Sequence, residues 1–454
     1  MGKKSRDENA PVVKKGKKGW VPFRILNEQF DSLDTNIVKR HIFYIIFLSV
    51  LTKIVVLFLT TSVFHSFIDL FDFGYYFDHG MMVVDGQVPY VNFPFDYPPL
   101  ALIPILLAII PAILTMNQYA FVFTFQVLMV ICDIGTVLCV YFIGLKIFDE
   151  KKAFSAALMY SAAFSTAYFV LTKYDAFPTF LLMVAVLFTV YGMNMKGYLS
   201  DTAGILTKIF PAIALPFIIL YNARKTSLTE EILQLVKIFI PLFILVALPV
   251  LILKPEIISQ YFSASLVRST VYVNTPTYVL YAFSHEMLKI DISTALISNF
   301  MYIIMGVILL FLVFIAFTWE KFSRILFLKL ILLSIFAVVF LMKYHSPQYL
   351  VWYTPLVCLL VVDRFYAVVL FFLAQIFTYM EFPLLFGVFY TNAEYLNPVN
   401  SPGYLLTVVF FCIEYLILIL LIYVAVNPSI KSLKKALTEK IGSRSGFLPF
   451  GKNP

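Results

Sequence analysis

The sequence predicts an all-α polytopic membrane protein with about twelve transmembrane helices, within a range of 10–13. Of the 454 residues, 61% are hydrophobic and only 13% are charged, and the mean hydropathy is +0.90. A soluble domain carries roughly 25% charged residues. Apolar runs of about 20 residues, long enough to cross a bilayer core of about 30 Å, recur along most of the chain. The alternating pattern of a membrane β-barrel is absent.

Charge at the two ends predicts which side of the membrane the termini face. Residues 1–40 hold ten Lys and Arg against five Asp and Glu, and residues 427–454 hold six against one. Basic residues beside membrane spans indicate the cytoplasmic side. We therefore expect two basic cytoplasmic segments, 1–40 and 427–454, around a membrane domain at 41–426. This placement explains the net charge of +8 better than a nucleic-acid partner does.

The apolar runs divide the membrane domain into twelve expected spans. The loops left on the outer side are 65–98, 255–296, 343–346 and 391–403. The basic loop 146–152 falls outside in this count and 173–175 falls inside, although a re-entrant pair between 99 and 193 would move Asp175 outward. The expected spans are 41–64, 99–115, 119–146, 153–172, 176–193, 198–221, 232–254, 297–318, 325–342, 347–362, 365–390 and 404–426.

The first outer loop, 65–98, has an unusual composition. It holds five aspartates, ten aromatic residues and neither lysine nor arginine. A plain connector between two helices is normally short. Asp85 alone, in "VDGQ", is typical of a turn. The whole set favours a binding surface at the membrane edge, carried on short amphipathic helices.

The spacing of residues in this loop carries a resemblance. The elements are Asp72 with Tyr76, then Gly86, Pro89-Tyr90, and "DYPPL" at 96–100. They resemble the first outer loop of the C-type glycosyltransferase superfamily. The polyprenol-phosphate-mannose-dependent mannosyltransferases of family 87 are closest, and the catalytic subunit of GPI mannosyltransferase I is more distant. Asn92 stands where that family usually has Asp.

Three downstream stretches extend the resemblance to about residue 360. "KYDAFPTF" at 173–180 is similar to the family's D-x-x-P helix, and "KIFP" at 208–211 to its intramembrane K-x-x-P. "HSPQYLVWYTPL" at 345–356 resembles its S-P-Q-Y-x-x-W-x-x-P stretch. The P-Y…Y-P-P-L and S-P-Q-Y-x-x-W patterns are the more specific of these.

The resemblance implies transfer of a sugar, mannose in the closest relatives, from a polyprenyl or dolichyl phosphate. An acceptor hydroxyl attacks the anomeric carbon, a carboxylate takes its proton, and the lipid phosphate leaves. A single displacement inverts the anomeric centre. Asp72, at the D-x-x-x-Y position, is the expected base, and Asp69 is the alternative.

Other residues are candidates for holding the substrates. Lys208 would hold the donor phosphate or reach toward an interface. Arg268 would grip phosphate or be solvated. Asp96 would bind substrate or cap the helix after it, and His345 would hydrogen-bond a phosphate or hydroxyl. The full set of candidate substrate-binding residues is Asp78, His79, Asp96, Tyr97, Asp175, Lys208, Arg268, His345, Gln348 and Tyr349.

The remaining expectations concern partners and alternative functions. The partners are the lipid-phosphate-linked donor, a lipid or glycan acceptor and membrane lipids, with no nucleic acid. No cofactor is firmly indicated, and a divalent cation, Mg²⁺ or Mn²⁺, stays open. A P-loop and a dinucleotide glycine motif are absent. A transporter or lipid flippase is the alternative, and a non-catalytic subunit of a glycosylation complex is a third reading.

Overall fold

The computed structural model describes residues 35–63, 70–256, 271–272, 274–390 and 408–427. These residues are almost entirely helical, and none of them lies in a β-strand. The chain divides into two units, Met1–Tyr44 and Ile45–Pro454. In the first, only the opening turns of helix α1 are described. The second unit holds every other element and all of the contacts discussed below.

The chain forms seventeen α-helices over the described ranges. The first nine are α1 (Thr35–Phe58), α2 (Phe71–Val84), α3 (Leu102–Thr115), α4 (Gln118–Ile147), α5 (Glu150–Ser161), α6 (Phe164–Thr172), α7 (Ala176–Val190), α8 (Asn194–Ile205) and α9 (Leu215–Asn222). The others are α10 (Leu228–Val246), α11 (Leu248–Leu253), α12 (Pro276–Ala282), α13 (Thr294–Thr318), α14 (Arg324–Leu341), α15 (Leu350–Val361), α16 (Phe365–Tyr379) and α17 (Val408–Asn427).

Side-chain caps fix where several helices begin. The Asn117 side chain accepts from the Tyr119 amide at 2.9 Å and starts α4. Asp149 accepts from the Lys152 amide at 2.9 Å and starts α5. Such bonds satisfy amides that have no partner within the helix. The polar residues between apolar runs therefore define the helix boundaries.

Six helical segments are long and apolar enough to cross a membrane, and a seventh is the pair α5–α6, which bends by 56°. The six are Thr35–Val63, Gln118–Ile147, Thr294–Thr318, Arg324–Leu341, Phe365–Leu385 and Val408–Asn427. Shorter apolar helices cover Pro99–Thr115, Ala176–Val190 and Pro347–Val361. The helical membrane class is therefore confirmed, whereas the count of about twelve stays a prediction.

The basic loop 146–152 lies at the same end of the bundle as the loop before α14. Arg324 Nη1 donates to the Lys146 carbonyl at 3.4 Å, and Lys152 Nζ lies 3.7 Å from Asp363 Oδ2. Placing 146–152 on the opposite side from 319–324 was therefore wrong. We call this the Lys146 end. The opposite end, where Lys173 contacts Asp72, is called the Asp72 end.

The run 198–221, predicted to be one span, is instead a helical hairpin. Asn222 Nδ2 donates to the Tyr198 hydroxyl at 3.4 Å, so the two ends of the run lie side by side. Helix α8 ends at Ile205, a 3₁₀ turn covers Phe210–Ile213, and α9 returns. Proline cannot donate a helical hydrogen bond, and Pro211 and Pro216 follow the break closely.

Helix α3, within the expected span 99–115, also stays at the Asp72 end. Its first residues are tied there, because the Leu100 amide donates to the Leu206 carbonyl at 2.9 Å. Its far end joins α4, and Gln126 of α4 donates to the Leu171 carbonyl at 3.0 Å, close to Lys173. The first turns of α4 are therefore at the Asp72 end too. Helix α2, inside the predicted loop 65–98, packs on both, burying Phe73 and Tyr76.

Candidate functional site

A buried ion pair joins the stretch 173–180 to the stretch 208–211. Lys208 Nζ lies 2.6 Å from Asp175 Oδ1, and the Trp352 indole N–H donates to the same oxygen at 2.5 Å. Asp175 is 1% exposed, and its other oxygen has no hydrogen-bond partner among the described residues. Burying a carboxylate is costly unless it is fully paired. Its incomplete pairing indicates a group retained for a purpose other than stability.

Aromatic rings surround the ammonium group of Lys208. Its Nζ lies 5.2 Å from the ring centre of Trp352, 5.8 Å from that of Tyr97 and 5.9 Å from that of Tyr349. Trp352 in turn stacks on Phe210, with ring centres 4.2 Å apart. Distances below about 6 Å allow cation–π attraction. This contact set fixes Lys208 although it lies in the break after α8 and not in a helix.

A second ion pair lies at the same end and contains the predicted base. Lys173 Nζ lies 2.9 Å from Asp72 Oδ2, and the side chain of Asp72 is 22% exposed. Asp72 occupies the first turn of α2, and Lys173 caps the end of α6. Lys173 also lies 5.5 Å from the ring centre of Phe382. The pair leaves Asp72 as a partly accessible carboxylate beside a nearly buried ammonium group.

Tyrosine rings connect the two ion pairs. Tyr76 lies one helical turn after Asp72, and its hydroxyl is 3.4 Å from that of Tyr97. Tyr97 packs on Tyr174, with ring centres 5.4 Å apart. Burial and the neighbouring carboxylates Asp72 and Asp175 raise the pKa of Tyr97. The tyrosines are therefore neutral, and the two acids and two lysines form one polar group in an aromatic wall.

The remaining residues of the acidic loop have local roles. Both ring nitrogens of His79 contact backbone carbonyls, at 2.7 Å to Tyr75 and 3.2 Å to Pro94, and so tie α2 to the following loop. Asp78 is exposed and lies on the side of α2 away from Tyr76. Asp96 is exposed and does not cap the 3₁₀ turn Pro99–Ala101, which has no side-chain cap. That capping reading was wrong.

Asn92 closes a turn within the same loop. Its Oδ1 accepts from the Val88 amide at 2.7 Å. The turn brings Tyr90 back, and the Tyr90 hydroxyl donates to the Tyr97 carbonyl. The residue that departs from the family pattern is thus used to shape the loop that presents Tyr97.

The residues of the 345–356 stretch separate into two groups. Tyr349 is 6% exposed and joins the wall around Lys208. Gln348 is half-buried in the 3₁₀ turn Pro347–Tyr349. His345 is 3% exposed, its ring is 5.6 Å from that of Tyr415, and burial lowers its pKa from 6.5 to about 4. Asp69 and Arg268 lie outside the described residues.

Sequence reasoning missed two members of the site. Lys173 lies two residues before Asp175, and Trp352 lies three residues after Tyr349. Neither was predicted to belong to the site. An indole N–H and a lysine beside an acid in an apolar chain were the available signals. Away from this site, Lys53 and Asp133 form a further buried ion pair, with Nζ and Oδ2 2.5 Å apart. Tyr160 donates to the same carboxylate at 2.7 Å.

The described residues contain no group of three or more His, Cys, Asp or Glu side chains that could hold a metal ion. The divalent cation left open by the sequence thus has no ready-made ligand set among them. Comparison with models of known protein families finds no match. A search of curated proteins likewise finds no match to this chain.

Proposed function

We propose that this chain is an integral membrane glycosyltransferase that transfers a sugar, mannose by resemblance, from a polyprenyl or dolichyl phosphate to a lipid or glycan acceptor. One observation carries the proposal. Four stretches chosen for their likeness to one family, contributing Tyr97, Asp175, Lys208 and Trp352, meet around a single ammonium group. Nothing in the composition of an apolar chain requires residues so far apart to converge.

The chemistry assigned to this site needs one base and a cation for the leaving group. Asp72 accepts the proton of the acceptor hydroxyl, whose oxygen forms the bond to the anomeric carbon. The bond from that carbon to the phosphate oxygen breaks, and its electron pair stays on the phosphate. Lys208, with Lys173, stabilises the leaving phosphate dianion. Attack opposite the leaving group inverts the anomeric centre.

Charge balance supports this division of roles. In the free protein the two lysines neutralise Asp72 and Asp175, at 2.9 and 2.6 Å. When a phosphate enters, Lys208 can turn to it while the Trp352 N–H continues to hold Asp175. The side chain of Lys208 is 16% exposed, compared with 1% for that of Asp175, so the lysine is the more accessible partner. We place this site on the outer face, with both termini in the cytoplasm.

The test is sugar transfer in reconstituted vesicles. The purified protein is given radiolabelled mannosyl polyprenyl phosphate and a total lipid extract as acceptor. We expect transfer by the wild type and a loss of ~10²-fold or more in Asp72→Asn, as removal of a general base produces. Asp85→Asn is the matched control, because Asp85 is an exposed acid of the same loop, and it should leave transfer unchanged.

Other outcomes have defined meanings. Transfer that survives in Asp72→Asn would move the base to Asp69. Failure of the wild type with every lipid-linked sugar, together with movement of lipid or solute across the bilayer, would replace the enzyme with a transporter. Lys208→Gln should raise KM for the donor, whereas Lys196→Gln, an exposed lysine of α8, should not.

A further inference from the structure

Two buried glutamates lie outside the site described above. Glu381, just after α16, is 3% exposed, and Glu414 of α17 is 1% exposed. Thr378, three residues before Glu381, donates to the Glu414 carboxyl group, so the two glutamates lie side by side. Both residues belong to segments apolar enough to cross a membrane. Ionisable residues in such segments are costly and mark ion or proton sites more often than packing positions.

The hydrogen bonds of each glutamate leave one oxygen without a donor. Glu381 Oε1 accepts from Asn274 Nδ2 at 2.7 Å, and Glu414 Oε1 accepts from the Thr378 hydroxyl. The second oxygen of each, Oε2, is buried and has no partner among the described residues. The unsatisfied atoms are thus two acceptors, one on each of two adjacent carboxyl groups.

No positive side chain compensates for the pair within the described part of the chain. The ion pairs formed by the described residues all involve acids other than Glu381 and Glu414. The other groups facing the pair are two tyrosines, Tyr353 of α15 and Tyr415 of α17. The Tyr415 hydroxyl is itself buried and has no partner there. The ring of His345 lies 5.6 Å from that of Tyr415.

We propose that Glu381 and Glu414 form a proton-binding site in which one proton is shared between their unpaired oxygens. Two carboxylates in contact in a dry interior cannot both be ionised. A single proton turns one Oε2 into a donor and the other into its acceptor, and so satisfies both atoms. The remaining negative charge is held by the Asn274 and Thr378 donors. A multidentate metal is disfavoured, because no group of three ligands is present among the described residues.

The shared proton fastens elements that adjoin the candidate site. Besides Glu381, Asn274 Nδ2 donates to the His345 carbonyl at 3.1 Å, which begins the 345–356 stretch. Phe382, next to the pair, lies under the ammonium group of Lys173. Proton binding therefore holds the end of α16 and the middle of α17 against the loop that leads to Tyr349 and Trp352.

Infrared spectroscopy of the protein in lipid nanodiscs at pH 7 tests this directly. Protonated carboxyl groups give a C=O stretching band that carboxylates lack. The spectra compared are those of the wild type, Glu381→Gln, Glu414→Gln and the double variant. Glutamine keeps the size of glutamate and offers an N–H in place of the proton, so the remaining carboxylate ionises. We expect each single variant to lose one full carboxylic-acid band and the double variant to lose no more.

Two infrared results would overturn the proposal. In the first, each single variant loses half of the carboxylic-acid band intensity that the double variant loses. That result would mean that each acid holds its own proton. No loss in any variant would mean that both acids are ionised. Asp201→Asn is the matched control, because Asp201 is fully buried and neither of its oxygens has a hydrogen-bond partner in the described part of the chain. Any band it contributes should remain in both glutamine variants.

A measurement on the wild type covers the case in which a variant does not fold. The apparent Tm at pH 7 should be the same in sodium and potassium salts, because the bound ion is a proton. A Tm that rises with sodium concentration would assign the pair to a metal cation and overturn the shared proton.

Discussion

Asp175 and Lys208 are 33 positions apart in the chain, and the atoms Oδ1 and Nζ lie 2.6 Å apart. Their exposure differs, because the Lys208 side chain is 16% exposed whereas Asp175 is buried. Removing one partner of a buried pair leaves the other charge uncompensated. The cost therefore depends on which partner remains and whether water can reach it.

Substitution of Lys208 should destabilise the protein more than substitution of Asp175. Lys208→Met leaves a buried carboxylate with one indole N–H, at a cost of about 3–5 kcal/mol, the range for breaking a buried pair. Asp175→Asn leaves a lysine that water can reach, so we expect a smaller loss. Thermal denaturation in detergent measures both, and the double variant should be more stable than Lys208→Met alone. Additive losses would contradict this coupling.

Lys173 should be needed for transfer through its charge beside Asp72. Lys173→Met should lower kcat by about tenfold or more, as loss of one electrostatic contact to a reacting group does. Lys173→Arg keeps the charge and should retain most of the activity. Equal losses in both variants would indicate that packing against Phe382, not charge, is what the site requires.

The close contact between α2 and α3 predicts opposite effects at two glycines of the same helix. A Cβ on Gly80 would lie 2.6 Å from Ile109 Cγ1, whereas a Cβ on Gly74 would meet no atom of the described residues within 4 Å. Gly80→Ala should cost about 1–3 kcal/mol through overpacking. Gly74→Ala should stabilise by about 0.5–1 kcal/mol, the helix penalty of glycine. Thermal denaturation of both variants checks this, and destabilisation by Gly74→Ala would contradict the open surface there.

Burial of His345 predicts a loss of stability in mild acid. Its pKa is lowered from 6.5 to about 4, so the folded protein cannot take up the proton that the unfolded chain binds. The contribution is complete above pH 6.5 and is lost as the pH falls from there towards 4. His345→Gln should flatten the dependence of the apparent Tm on pH over this window.

The exposed histidine His285 provides the control for that measurement. His285→Gln should leave the pH dependence as in the wild type. Carboxylates that titrate in the same window contribute equally to all three proteins, so the difference between the curves isolates His345. Identical slopes for wild type and His345→Gln would show that the imidazole is solvated.

The sequence allowed the helical membrane class to be predicted, and it also singled out most of the segments that meet around Lys208, because both depend on local patterns. Apolar runs bounded by Asn117, Asp149 and Ser323 became helices with those residues as caps. The contact between Asp175 and Lys208 could not be derived, since nothing local specifies which motifs meet. Glu381 was overlooked for a similar reason, because its partner Glu414 lies on another helix.

The prediction of 198–221 as one span was wrong for a physical reason. Hydropathy and length measure whether a run can be buried, not where its two ends lie. The two ends of 198–221 lie side by side, and the helix in 99–115 buries one face while Ile110 and Leu114 stay exposed. The packing of Gly80 on α3 and the contact of Tyr198 with Asn222 depend on residues far away in sequence. A single-sequence count treats every such run as a crossing.

The runs 99–115 and 198–221 also determine which side of the membrane is predicted for the segments between them. When neither run is counted as a crossing, the predicted side of the segments between them is reversed, and the predicted side of the segments after Asn222 is unchanged. The inversion takes the lysines at 146–152 to the same face as those at 222–231 and 319–324. It brings Lys173 and Asp175 to the face of Asp72. The two changes cancel from residue 222 onward, so only a side-specific label placed between Thr115 and Tyr198 distinguishes the two counts.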